Sequence, residues 1–286
     1  LEVPDEVGKV ILPGHQVIGT DDKIPQYIKE CDFVITVGFI KNPVLRIKLY
    51  NKVKEAGGRF ATIVASTAHP QVDYSLGSNS KFAYSPSPLS IMNYVSCHDD
   101  LCLTDKLRKS MPEANDSVRM RVARLAQTII FTSQGTPFMF AGEEVFRDKK
   151  GIHNTYCSPD SVNAIDCDLK AANRQQFDYY RNLIALRKAH PAFRITTTEE
   201  VARNIVFHKI KEPCLVAYSI KNNANGDQWK EIKVVFIGNN SDRTVNVPKG
   251  EWKLIAFDGK IDPEGLGTIK GGKTIVPSYS ALILAR

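Results

Sequence analysis

The residues best suited to chemistry lie at the end of one apolar segment. Residues 91–96 are largely apolar, and the polar run His98, Asp99 and Asp100 follows directly after Cys97. An imidazole beside a carboxylate can donate and accept hydrogen bonds and can exchange protons near neutral pH. In barrels of parallel strands, functional side chains lie at the carboxyl ends of the strands. The run therefore predicts a strand that presents His98 and Asp99 to a ligand.

A second acidic pair, Glu143 and Glu144, ends the apolar run that starts at Gly135. Two carboxyl groups at a suitable separation can act together as acid and base. Neighbours on a strand point to opposite faces, so this pair would face one bond together only beyond the strand's end. We therefore expect structural roles for both. For Asp105, bracing a loop and contacting a ligand stay open as alternatives.

The elements that would position these residues change along the chain. Residues 32–38 and 60–64 are continuous apolar runs typical of strands buried on both faces, with a helix from Pro43 to Gly57 between them. This pattern predicts a βαβ, Rossmann-like fragment that is too small to fold independently. Residues 68–90 are rich in Pro, Ser and Asn and predict a loop or a junction.

From residue 91 to 190 the chain alternates between strand and helix patterns. Asn115 or Asp116 can cap a helix whose apolar face includes Leu125. A second helix should start at Asn173 and stop at His190-Pro191. Within this second helix we expect an inward face that contains Phe177, Tyr180, Ile184 and Leu186.

The last third reads as β only. Short alternating segments separated by Asn, Gly, Asp and Pro turns continue from Phe193 and predict an antiparallel β-sandwich. The fold class is thus α/β plus all-β, in three parts. These parts are a βαβ fragment (1–67), a segment of alternating strands and helices (68–192) and a β-sandwich (193–286).

Composition excludes several classes of function. The net charge of +7 is spread among acidic residues without a focused basic run, so no nucleic-acid partner is predicted. No apolar stretch approaches the ~20 residues that a membrane helix needs, so no membrane span is expected. The six cysteines form no CxxC pair and are interpreted as free thiols. No signal-peptide pattern is visible, Leu1 suggests a lost start, and the compartment stays open.

Several ordered motifs across about three quarters of the chain resemble one family. They resemble the end of a pullulanase-type member of the α-amylase superfamily of glycoside hydrolases. The motifs occupy residues 69–74, 94–100, 104–107, 134–144, 154–156, 158–161 and 163–166. The resemblance implies that residues 68–192 form the last two βα units of a TIM barrel.

The resemblance also implies site roles. Asp99 would steady the oxocarbenium-like transition state, and His98 would donate hydrogen bonds to the same sugar. The implied ligand is an α-glucan such as pullulan or starch, cleaved at α-1,6 linkages with retention. No cofactor is predicted; calcium is compatible with the family, but no ligand cluster supports it. The further implied contacts to substrate come from Asp100, Arg147, Asn154 and Asp160.

The family's catalytic nucleophile and proton donor have no counterpart in this sequence. Both should precede His69, and residues 1–67 contain no Arg-x-Asp motif or matching acidic residue. Asp99 alone can stabilise a transition state but cannot cleave. We therefore expect a truncated, inactive enzyme. The alternative is a noncatalytic α-glucan-binding fragment.

Residues 1–67 resemble the N-terminal, nucleotide-sugar-binding domain of bacterial sugar O-acyltransferases. The resemblance rests on residues 12–21, 31–38 and 60–68, and it implies a third function, that of an acyltransferase fragment. The phosphate-cradling turn is missing, so a generic βαβ piece without a ligand stays the alternative. A fusion of two unrelated proteins near Ala68-His69-Pro70 is the hypothesis that unites both resemblances.

Overall fold

The structure is a computed structural model, and contacts divide the chain into two units, Leu1–Ile63 and Val64–Arg286. The residues that the structure describes are 10–12, 15–16, 23–27, 32–33, 52, 55, 59–60 and 87–286.

In the first unit, two short pairs of strands are described. Strand β1 (Val10–Leu12) pairs antiparallel with β2 (His15–Gln16). A four-residue helix, α1 (Ile24–Tyr27), lies between these two strand pairs in the sequence.

Strand β3 (Asp32–Phe33) pairs in parallel with β4 (Arg59–Phe60), which is the arrangement that a βαβ unit requires. Most of the predicted strand at 32–38 lies outside the described residues, so the Rossmann-like assignment of 1–67 stays a prediction.

Two strands within residues 87–137 of the second unit form a parallel pair. Strand β5 (Met92–Asn93) pairs in parallel with β6 (Thr136–Pro137). Helices α2 (Leu103–Ser110) and α3 (Asp116–Thr132) connect them. The strand and helix alternation is confirmed, and the larger partial barrel stays a prediction.

Both strands are shorter than the sequence predicts. The run from Gly135 to Glu144 leaves strand geometry after Pro137, and a 3₁₀ turn (Glu143–Val145) follows Gly142. Gly142 has φ 98°, a left-handed conformation that glycine adopts without steric cost. The apolar run is therefore a partly buried turn and not an extended strand.

Helix α3 begins as predicted. The Asn115 side chain accepts a hydrogen bond from the Val118 N–H at 3.0 Å, which satisfies a donor that the first turn leaves free. The remaining helices are α4 (Asp160–Asn163), α5 (Leu169–Ala172), α6 (Arg174–Ala189) and α7 (Thr198–Asn204).

Helix α6 stops at His190 as predicted, and Pro191 follows in a 3₁₀ turn. Tyr180 and Leu186 are buried on its inner face. The inward position expected for Ile184 is wrong, since this side chain is 37% exposed. The helical turn places Leu183, and not Ile184, against the core.

The last third forms one antiparallel, seven-stranded sheet within residues 205–285. Its strand order is β11-β10-β13-β9-β8-β7, and β12 also pairs with β10. The strands are β7 (Ile205–Phe207), β8 (Leu215–Lys221), β9 (Glu231–Ile237), β10 (Arg243–Phe257), β11 (Lys260–Ile261), β12 (Gly267–Val276) and β13 (Ser280–Ala285).

Both faces of this sheet are buried, which explains the sandwich-like pattern of the sequence. Val234 and Phe236 of β9 pack in one cluster with Leu125, Leu183 and other residues of α3 and α6. The opposite face of β9 packs in a second cluster with Val245, Val247 and Trp252 of β10.

The 15-residue β10 shifts register against β12 between Val247 and Glu251. An irregularity of this kind bends a strand. One hydrogen-bonded sheet therefore supplies both layers, where the sequence predicts a sandwich of two sheets.

No helix within the described residues is long and apolar enough to cross a bilayer.

Candidate functional site

His98 and Asp99 lie at the exposed tip of the loop that follows β5. Their side chains are 76% and 71% exposed, and His98 Nε2 lies 3.6 Å from Asp99 Oδ1. Asp100 follows with φ 59°, a left-handed conformation that Asp tolerates better than most residues. The loop thus turns sharply and presents three polar side chains to solvent.

The base of this loop, residues 96–103, is closed by one buried hydroxyl. Ser96 is 1% exposed, and its Oγ accepts a hydrogen bond from the Leu103 N–H at 3.1 Å. The same hydroxyl donates to Glu143 Oε1. Ser96 therefore connects the start and the end of the loop to the turn after β6.

Asp105 braces a loop and does not reach the surface, which decides between the two alternatives left by the sequence. Its buried carboxylate accepts hydrogen bonds from the Lys149 N–H at 2.7 Å and the Gly151 N–H at 3.0 Å. The Cys102 thiol donates to it at 3.1 Å. Burial, the largest influence, raises the pKa of the Cys102 thiol to about 11. Asp105 thus fixes the loop after β6 to helix α2.

Arg147 occupies the interior of the same loop. Its side chain is 7% exposed and donates to the Ala141 carbonyl at 3.2 Å and to the Asn163 carbonyl. Its guanidinium carbon lies 5.6 Å from the centroid of the Phe140 ring, within cation–π range. The structure gives Arg147 a packing role, while the predicted contact to substrate stays a prediction.

Asn154 and Asp160 lie on the exposed part of the loop after β6. Asn154 has φ 57°, and Asp160 opens α4. A contact not foreseen from the sequence joins this loop to the first one, because His153 Nε2 pairs with Asp100 Oδ1. The structure therefore brings the His98 loop and the Asn154 loop together.

Two exposed tyrosines near these loops were also missed by sequence reasoning. Tyr156 is 81% exposed, and Tyr94 is 52% exposed with its ring in edge contact with Phe138. Exposed aromatic faces are a signal for ligand stacking, because large apolar side chains are normally buried. Both rings lie inside motifs of the family resemblance, at 94–100 and 154–156, for which the sequence predicts no aromatic role.

The two acidic residues after β6 have structural surroundings, as expected. Glu144 Oε2 accepts the Gly142 N–H at 2.9 Å. Glu143 is buried and accepts hydrogen bonds from Ser96 and from Gln127 Nε2. Burial raises the pKa of Glu143 to about 7, against the lowering effect of the Ser96 hydrogen bond.

The exposed side chains of this loop are suited to hydrogen bonding. A solvent-facing carboxylate and imidazole can exchange hydrogen bonds with neighbouring hydroxyl groups of a ligand. Glu143, in the turn after β6, is buried and held there by Ser96 and Gln127. Among the described residues, no group of three or more His, Cys, Asp or Glu is placed to hold a metal ion.

Comparison with known proteins identifies consistent relatives. Residues 201–260 match the family model described as the pullulanase all-beta domain. A pullulanase of Bacillus subtilis (strain 168) is 40% identical over 183 residues, which cover 63% of this chain and 24% of that protein. The chain therefore spans about a quarter of this relative.

Solved structures give the same result. The pullulanase from Bacillus acidopullulyticus superposes with a TM-score of 0.68 and 37% identity, covering 78% of this chain and 28% of that one. Pullulanase type I from Bacillus subtilis str. 168, complexed with maltose, has a TM-score of 0.67 and 33% identity, covering 74% and 30%. These comparisons do not support the predicted resemblance of residues 1–67 to sugar O-acyltransferases.

Proposed function

We propose that this chain, which is pullulanase-type, binds α-glucan oligosaccharides through the exposed loop that carries His98, Asp99 and Asp100. The observation that carries the proposal is the position of His98 and Asp99, exposed at the tip of a loop whose base is fixed by Ser96. A fixed base holds the two side chains in place, which reduces the entropy lost on binding. Solved pullulanases complexed with maltose and with maltohexaose support a ligand of this class.

The reaction to which this site would contribute is the hydrolysis of α-1,6 linkages with retention. In such a reaction a nucleophilic carboxylate forms a glycosyl intermediate and a second carboxyl group protonates the leaving oxygen. Asp99 would hold ring hydroxyls and stabilise the positive charge that develops at the transition state. His98 would donate to the same sugar.

For this chain we propose binding without turnover. No residue of the sequence matches the motifs that carry the nucleophile and the proton donor in this family. Hydrogen bonds to ring hydroxyls remain available, since they need only His98 and Asp99. The chain would thus act as an α-glucan-binding polypeptide.

Affinity electrophoresis in gels containing pullulan tests the binding. The wild-type chain should migrate more slowly as the pullulan concentration rises, and Asp99→Asn should lose most of this retardation. Asp168→Asn is the matched control, because Asp168 is exposed and its side chain caps no helix. Unchanged migration of the wild type in pullulan would refute the proposal.

Release of reducing ends from pullulan tests the absence of turnover. We expect the wild type and Asp99→Asn to give the same background rate. A wild-type rate clearly above that of Asp99→Asn would show that a nucleophile and a proton donor are present after all.

A further inference from the structure

A buried group of polar side chains lies directly beneath the His98 loop. Glu143 is its centre and is 5% exposed, with Ser96 donating to Oε1 and Gln127 donating to Oε2. Ser96 and Gln127 are themselves buried. The group therefore links the loop after β5, helix α3 and the turn after β6 through a single carboxyl group.

Among the residues that the structure describes, no cationic side chain is hydrogen-bonded to this carboxyl group. Lys106 of α2 attracts its charge, but the Lys106 ammonium donates to the Val95 carbonyl at 3.1 Å. Glu144 on the same turn repels the charge. Tyr180 of α6 is fully buried, and burial together with the charge of Glu143 raises its pKa, so it stays a neutral phenol. An unpaired buried carboxylate is costly, so the neutral form is favoured.

We propose that Glu143 is a positioning residue whose proton keeps the His98 loop in its ligand-binding conformation. This proposal rests on the proposed function for its effect on binding. The physical link is Ser96, whose hydroxyl contacts Glu143 and also accepts the Leu103 N–H that closes the loop. When Glu143 is protonated, the contact with Ser96 reverses its direction, so that the acid O–H donates to Ser96 Oγ while Gln127 still donates to the other oxygen. Loss of the proton places a charge next to Ser96, and hydration of that charge requires the base of the loop to open.

Glu143→Gln mimics the protonated acid. The glutamine oxygen can accept from Gln127 while its amide group donates to Ser96 Oγ, so both contacts persist without a titrating proton. Glu113→Gln is the matched control, since Glu113 is exposed on the segment between α2 and α3. Neither variant changes a residue that is proposed to touch the ligand.

Two measurements on the full chain between about pH 6 and about pH 8.5 test the proposal. The first is the affinity for maltohexaose by calorimetric titration, and the second is amide hydrogen exchange at Leu103, corrected for its intrinsic pH dependence. We expect the wild type and Glu113→Gln to lose about tenfold in affinity and to exchange faster at high pH. Glu143→Gln should show neither change.

The outcomes separate this proposal from the proposed function. Absence of maltohexaose binding at every pH, together with exchange at Leu103 that depends on Glu143, removes the glucan ligand and keeps the role of Glu143 in the loop. Equal pH profiles in wild type and Glu143→Gln overturn the positioning role. If Glu143→Gln does not fold, a flat wild-type exchange profile at Leu103 overturns it equally.

Discussion

Of the three histidine–aspartate pairs that the structure describes, His190–Asp227 and His98–Asp99 have the most strongly contrasting surroundings. His190 Nδ1 lies 3.0 Å from Asp227 Oδ1, and both side chains are almost fully buried. The His190 ring stacks on Trp229 with centroids 3.3 Å apart. His98 and Asp99 are separated by 3.6 Å and lie in solvent. The comparison shows that residue type alone does not define a site. Of these two pairs, only His98 and Asp99 have donor and acceptor atoms exposed to a ligand.

The buried pair ties helix α6 to the β sheet. Asp227 also accepts the Ala192 N–H at 3.1 Å and the Trp229 N–H at 2.9 Å. Burial opposes its ionisation, yet these hydrogen bonds and the one from His190 hold the pKa of Asp227 below its usual value. Both carboxylate oxygens of Asp227 are thus engaged in hydrogen bonds within the protein.

The largest expected effect is the loss of the buried partner. Asp227→Ala should lower the free energy of unfolding by about 3–5 kcal/mol, because His190 and two backbone N–H groups lose their acceptor in the interior. Urea unfolding followed by circular dichroism measures this. For the exposed counterpart Asp99→Ala we expect a change in the free energy of unfolding within about 0.5 kcal/mol. An equal loss in both variants would contradict the difference between the buried and the exposed pair.

Glu143 should have the next largest effect on the free energy of unfolding. The pH dependence that it causes has the opposite sign to that of most carboxylates. Its folded-state pKa of about 7 lies above the ordinary value of 4.5. The contribution of Glu143 to stability is therefore fully present below about pH 4.5, and about 3 kcal/mol of it is lost as the pH rises through 7. Urea unfolding of wild type and Glu143→Gln across this range should show a difference that changes with pH; parallel curves would contradict the burial argument.

Asp227 should give the reverse pH dependence. Because its folded-state pKa is lowered, its stabilisation is present above the ordinary value near 3.8 and is lost as the pH falls through the folded-state pKa. Acid titration of the wild type by near-ultraviolet circular dichroism should show this loss, and Asp227→Asn should lack that component. An identical acid transition in both proteins would assign acid unfolding to other groups.

Substitution of Asp105 tests whether this carboxylate stabilises the fold, as buried Asp227 does, or is dispensable for stability, as exposed Asp99 is. Asp105→Asn keeps the shape but weakens acceptance from the Lys149 and Gly151 N–H groups, so we expect a loss of about 1–3 kcal/mol in unfolding free energy. Asp100→Asn, which removes only the exposed contact to His153, should cost less than about 1 kcal/mol. Similar losses in both variants would mean that the loop after β6 is not held by Asp105.

Local signals in the sequence were sufficient for the helices. Asn115 caps α3, and His190-Pro191 ends α6, because caps and stops depend on neighbouring residues. Ile184 was misplaced by one position on its helix, since an apolar residue next to Leu183 fits the stripe nearly as well.

Contacts between residues far apart in the sequence could not be predicted from such local signals. The burial of Arg147, the brace at Asp105 and the pair between Asp100 and His153 each join segments about 15 to 55 residues apart, as their partners show. The same reason explains the single folded sheet, because register shifts in β10 depend on pairing with β12. Sequence motifs located the exposed tip at His98 and Asp99, and only the fold shows what holds it.

Calorimetric titration of maltotriose tests whether the exposed His98–Asp99 pair binds α-glucans. We expect saturable heat with the wild type and with Asp168→Asn, and a loss of that heat in Asp99→Asn at unchanged unfolding free energy. Equal heats in the wild type and Asp99→Asn would show that the exposed pair does not bind the glucan.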